Sequence, residues 1–261
     1  MLSRPGEIVR RHDPDRFLTA LFAPPERREA LFVLYAVNHE LARAREVASE
    51  PFAALMRLQW WREVAEGGRP RHEVAGPLGE AIDAGRLQAG DVLGMIEGRE
   101  AETEEIETLA GWRDYLLATA GGVAVAAGRA LGAPEAALDG LRQLGAGYGA
   151  AGVLRSVPAL AAQGRCLLPH EVLAAHGLDA ASVIAAPSSA AVLPALRPLA
   201  DEGRAMLARG RAAPPVPRTA IAAALPAVLA RRDLRRLSQA ARARGAADRF
   251  AVLAAAVVGR V

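Results

Sequence analysis

The stretch LYAVNHELARAREV, residues 34–47, decides how this chain is read. Apolar residues recur there at intervals of three and four, so the segment is a helix, and Leu31, Tyr35, Asn38, Ala42 and Glu46 share one face of it. That face mixes a phenol, an amide, a methyl and a carboxylate, with Arg43 and Arg45 beside it. Three readings compete: a metal site, a phosphate site, or the remnant of one. His39-Glu40 invites the zinc-protease pattern H-E-x-x-H, but the second histidine would stand at position 43, which is Arg. The other histidines, at 12, 72, 170 and 176, are scattered and suggest no metal site.

Working outward, the same three-and-four spacing recurs along the chain, and runs of alternating β-branched residues are missing. The pattern predicts helices at 15–22, 26–48, 51–66, 74–85, 89–98, 104–132, 135–162, 169–176, 180–186, 188–210, 218–238 and 246–258. Pro24-Pro25 precedes a helix, Ser49-Glu50-Pro51 reads as a cap followed by a first-turn proline, and Gly67-Gly68 is a stop. The stiff run Ala213-Pro214-Pro215-Val216-Pro217 is too short to separate domains. The expectation is one all-α domain over residues 1–261.

Composition narrows the function classes. Apolar residues make up 52% and charged residues 23%, a globular balance. All 32 Lys-plus-Arg positions are Arg, which excludes Schiff-base chemistry on lysine and the P-loop lysine. A net charge of +3 gives nucleic-acid binding no support. A lone cysteine, Cys166, allows no internal disulfide and fits a reducing compartment. The longest apolar run, Tyr115 to Ala127, falls short of the roughly 20 residues of a membrane span. The opening MLSRPGEIVRR lacks the apolar core of a secretory signal, so a cytoplasmic location is expected.

Three further features invite a site and also have plainer readings. GAGYGAAG, 145–152, contains a loose G-x-G-x-x-A, but Leu138, Leu141 and Leu144 place it in a helix, where small residues let two backbones approach. In RLQWWRE, 57–63, Trp60 and Trp61 point about 100° apart, so one should fill the core and the other lie half-buried. The alternative is an aromatic wall for a ligand or partner. RRDLRRLSQAARAR, 231–244, sets arginines around Leu234 and Leu237, a solvated face or a basic helix resting on anionic lipid.

Four stretches, in order, are similar to the squalene/phytoene synthase family. These are DRFLTALFAPPERREALFVLYAVNHE (15–40), YLLATAGGVAVAAGRALG (115–132), GVLRSVPALAAQGRCLLPHEVLAAHGL (152–178) and LARRDLRRL (229–237). The most specific piece is G-R-x-x-L-P at 164–169, after Leu154-Arg155. The resemblance implies an all-helical isoprenoid-synthase bundle around a central apolar cavity, in which active members join two prenyl diphosphates with Mg²⁺. A departing diphosphate needs cations to neutralise it, and Mg²⁺ takes carboxylate oxygens. On the family pattern those carboxylates would stand at Ala42, Glu46, Ser156 and Leu160, so three of the four are missing.

That departure resembles the branch related to the mitochondrial complex I assembly factor, matched here by Asn38-His39-Glu40, Glu50-Pro51 and RLQWWR at 57–62. What the resemblance implies is a non-catalytic binding or assembly protein, with a respiratory complex I subunit or assembly intermediate as partner, at the inner face of the cytoplasmic membrane. No cofactor is expected. Two alternatives stand beside it: a Mg²⁺-dependent prenyltransferase, and a carrier holding a prenyl or quinone-like lipid. Candidate ligand or partner contacts are Asn38, His39, Arg43, Arg45, Trp60, Trp61, Tyr115, Arg155 and Arg165, the arginines being suited to grip a diphosphate directly.

Overall fold

The computed structural model describes residues 2–46, 50–237 and 243–261, and among these there is no strand. The opening helix α1 (Arg4–His12) was not expected from the apolar pattern, because it is short and mostly polar. Its signal is local: the Ser3 hydroxyl accepts from the Gly6 amide, and Pro5 sits in the first turn. Asp13 then caps α2 (Pro14–Ala20) by accepting from the Arg16 amide.

Next come α3 (Pro25–Ala42), α4 (Pro51–Ala65), α5 (Ala75–Asp83) and α6 (Ala89–Glu100). A 3₁₀ turn, Ala101–Thr103, leads to α7 (Leu109–Ala118), α8 (Ala120–Ala130) and the long α9 (Glu135–Ala161). The chain closes through α10 (His170–Ala174), α11 (Ala180–Ala185), α12 (Val192–Ala212), α13 (Ile221–Ala224), α14 (Pro226–Leu234) and α15 (Ala246–Val258).

The all-α expectation is met, with three corrections. The helix expected at 26–48 ends at Ala42 and passes into turns at 43–46. The one expected at 104–132 starts only at Leu109, where Thr108 caps it, and breaks at Thr119, whose hydroxyl donates to the Tyr115 carbonyl. The one expected at 218–238 is interrupted at Pro226, which has no amide hydrogen to carry the ladder on, and stops at Leu234. Pro24-Pro25, Pro51 and Gly67 punctuate as expected, and the cap expected at Ser49 lies outside the described residues.

The 27-residue α9 is the axis, packed by α8, α12, α14 and α7. Its glycines are contact points, as the spacing around GAGYGAAG predicts. A Cβ on Gly145 would lie 2.5 Å from the Ala120 carbonyl oxygen and 2.6 Å from Ala124 Cβ, and one on Gly147 would lie 2.6 Å from Leu207. Small residues here let α8 and α12 close onto α9. One buried apolar cluster runs through all these helices, from Ile8 to Val252.

Candidate functional site

The packing leaves a cavity of about 1230 Å³, above the ~300–1,000 Å³ usual for small-molecule sites. Its walls come from the α1–α2 junction, the ends of α3 and α6, the α7–α8 junction, the second half of α9, and the start of α15. The ends of α3 and α9, where the resemblance puts the family's metal positions, have therefore not collapsed onto each other. Ala42, Glu46, Ser156 and Leu160 all line the cavity, as do Asn38, Tyr115, Arg155 and Arg165.

Two charge clusters dominate its walls. In the first, the Glu102 side chain, 4% exposed, accepts from Arg165 at 2.6 Å, from the Tyr115 hydroxyl at 2.8 Å and from Arg99. Arg99 also donates to Asn38 Oδ1 at 3.3 Å. Burial pushes the Glu102 carboxyl up, but Arg99 and Arg165 outweigh it and hold it below the usual carboxylate range. Two guanidiniums thus share one carboxylate.

In the second cluster, Arg244 donates to Asp15 at 2.7 Å and to Asp233 at 2.6 Å, while Arg155 lies 3.3 Å from Asp233 and 3.7 Å from Asp15. These four side chains tie α2, α9 and α14 to the segment that starts α15. Beside them Arg16 pairs with Asp13 at 2.8 Å and sits over the rings of Tyr35 and Tyr148, 5.6 and 4.8 Å from their centroids. Burial pushes both phenols up, so neither is a ready proton donor.

These clusters decide whether the residues fit a Mg²⁺ group. Of the carboxylates lining the cavity, Asp13, Asp15, Glu102 and Asp248 are each held by an arginine; Asp248 accepts from Arg232 at 2.6 Å. Glu46 is the remaining one, exposed in the turn after α3. Among the described residues no group of three or more His, Cys, Asp or Glu is placed to hold a metal ion. Mg²⁺ therefore does not fit: one free carboxylate faces Ala42, Ser156 and Leu160, and the others are already neutralised.

The remaining expected residues fall elsewhere. His39 stacks on His12 with centroids 4.4 Å apart, a pairing that linear spacing hid. Burial and the neighbouring His12 hold its imidazole below the usual range. Arg43 pairs with Glu40 at 3.6 Å, and neither it nor Arg45 lines the cavity. Trp61 is buried and Trp60 half-buried, edge-on to each other, beside a separate pocket of about 200 Å³ that includes Glu40, Arg57 and His72. Burial raises the thiol of Cys166, which suits a small packed side chain.

Sequence reasoning missed Arg99, Glu102, Asp15, Asp233 and Arg244. Glu102 falls in the short gap between the helices expected at 89–98 and 104–132, where no apolar spacing marks it. Arg244 and Asp15 are far apart in the chain, and nothing local marks either. The basic run at 231–244, read as a solvated face or a lipid-facing helix, is in part neither. Helix α14 ends at Leu234, Arg232 and Arg244 turn inward to ion pairs, and 238–242 lie outside the described residues.

Comparison with known proteins agrees with this geometry. The family model described as Squalene/phytoene synthase matches residues 9–253. The human protein named NADH dehydrogenase (ubiquinone) complex I, assembly factor 6 is 25% identical over 180 residues, covering 66% of this chain and 54% of its own length. Its Drosophila melanogaster homolog is 28% identical over 198 residues, covering 68% and 57%. The chain thus spans about half the length of the curated relatives it matches. Among solved structures, a dehydrosqualene synthase in complex with ligand superposes with a TM-score of 0.77 at 15% identity, over 97% of this chain and 94% of that one. The squalene synthase HpnC from Alicyclobacillus acidocaldarius gives 0.64 at 19% identity, over 98% and 94%. At such identities these superpositions speak for the fold, and the family match speaks for descent: this chain belongs to the squalene/phytoene synthase family.

Proposed function

We propose that this chain is a non-catalytic member of the family that acts as a binding or assembly protein for respiratory complex I. One observation carries the non-catalytic part. The cavity persists, while Ala42, Ser156 and Leu160 stand where the resemblance puts metal-holding carboxylates, and of the five acids lining it all but Glu46 are neutralised by arginine. Ionising a diphosphate depends on clamping the charge that develops on the leaving group. Without a cation cluster that clamp is gone, and the reading calls for no cofactor. The assembly part is supported by likeness to the assembly factor 6 proteins.

Deleting the gene in the organism that carries it should lower assembled complex I on native gels and leave isoprenoid products unchanged. Normal complex I in the deletion strain contradicts the assembly role.

The volume of the cavity favours a second reading, a lipid carrier. Its lining includes seven arginines against five carboxylates, which suits a long apolar molecule with an anionic or carbonyl head. The carrier reading expects a lipid in solvent extracts of purified protein; repeated empty extracts reject it.

A further inference from the structure

The last helix, α15, presents its apolar side to solvent. Phe250 is 70% exposed, Leu253 46%, Val257 66% and Val258 64%. Phe250, Leu253, Ala254 and Val257 follow one another at intervals of three, one and three, so they form one continuous stripe along the helix. The opposite face is already used: Val252 is fully buried, and Ala251, Ala255 and Ala256 pack on the core. This stripe is therefore a surplus of apolar surface, not the side that holds the helix to the fold.

Charge around it has one sign. Beyond Glu202 the chain carries twelve arginines and only two acids, Asp233 and Asp248. Both acids are consumed by internal pairs, with Arg244 and with Arg232. Arg249 flanks the first turn of α15, and Arg218 and Arg260 stand at its far end, where a Cβ on Gly259 would lie 3.3 Å from Arg218. Among the described residues none of these three has a carboxylate within ion-pair distance.

We propose that α15 lies in the plane of an anionic lipid bilayer, with Phe250, Leu253 and Val257 entering the headgroup–acyl boundary and Arg218, Arg249 and Arg260 meeting lipid phosphates. One feature favours lipid over a protein partner. The N-terminal end of the stripe opens on the cavity: Arg249 and Asp248 line it, together with Leu21, which is 44% exposed. A bilayer under α15 would thus reach the cavity mouth. Helix α15 thereby takes the lipid contact that the sequence offered for 231–244 as the alternative to a solvated face.

Co-sedimentation of the full chain with vesicles tests this. Vesicles containing phosphatidylglycerol should bind the chain at least about tenfold better than pure phosphatidylcholine, with binding weakened by salt. Phe250→Ser with Val257→Ser should lower partitioning about tenfold or more at unchanged far-UV circular dichroism. Arg218→Gln with Arg260→Gln should erase most of the preference for anionic vesicles. Equal binding to both vesicle types, or wild-type partitioning by the Phe250/Val257 variant, overturns the proposal. So does a chain that is dimeric without vesicles and becomes monomeric in that variant, because the stripe is then a protein interface.

Discussion

The end of α3 and the loop at Glu102 face the same cavity and carry opposite surfaces. At the helix end, Ala42 offers a methyl and Glu46 a solvated carboxylate; across from them Ser156 and Leu160 offer a hydroxyl and an isobutyl group. At Glu102 both carboxylate oxygens have partners, two arginines and a phenol, and one of those arginines also reaches the Asn38 amide oxygen. The difference teaches that groups serving the fold and groups serving the chemistry can part company. A buried ion cluster cannot lose a member without stranding its partners, whereas a metal-holding carboxylate facing a wet cavity can be lost with little effect on packing.

The largest test of that contrast is Glu102→Gln. It leaves Arg99 and Arg165 buried around a neutral acceptor, and should cost ~3–5 kcal/mol in urea unfolding. A loss below 1 kcal/mol, on the order of a surface pair, breaks the comparison. Next is Gly145→Ala, where the added methyl meets the Ala120 carbonyl oxygen; the expected cost is ~1–3 kcal/mol, read the same way.

Rebuilding the other wall should do something different. The triple variant Ala42→Asp, Ser156→Asp, Leu160→Asp should gain a Mg²⁺-dependent rise in melting temperature. The rise should correspond to ~1–2 kcal/mol at Mg²⁺ about tenfold above its dissociation constant, with wild type unmoved. A wild-type chain stabilised by Mg²⁺ to the same degree would mean its ligand set was misjudged.

The smallest effect is in pH. His39 titrates below its ordinary range in the fold, so its contribution to stability is complete above about pH 6.5 and is lost as the pH falls through the lowered value. Glu102, also depressed, has its contribution complete above about pH 4.3 and loses it on further acidification. The melting temperature should fall in two stages on acidification, and His39→Gln should flatten the first while leaving the second.

What the sequence made legible follows from what local spacing can carry. The helices, the axial glycines of α9 and the opposed fates of Trp60 and Trp61 could be read because each depends on residues one to four apart, whereas the positions Ala42, Glu46, Ser156 and Leu160 came from the family resemblance alone. Tyr115 and Arg165 were named as contacts without their shared partner, since Glu102 lies in a short turn between two expected helices with no apolar signal. Arg244 could not be foreseen, because its meaning comes from Asp15, at the other end of the chain. Nor did spacing reveal whether the cavity was open; that depends on how α3 and α9 are held apart, which the two ion clusters help to determine.

The central claim is that the cavity was kept and its metal chemistry lost. Incubating purified chain with Mg²⁺ and farnesyl or geranylgeranyl diphosphate tests it most directly. The account predicts no released pyrophosphate and no condensed product above the level without protein, from a chain whose circular dichroism shows an intact helical fold. Sustained, Mg²⁺-dependent turnover that Glu46→Ala abolishes would contradict it.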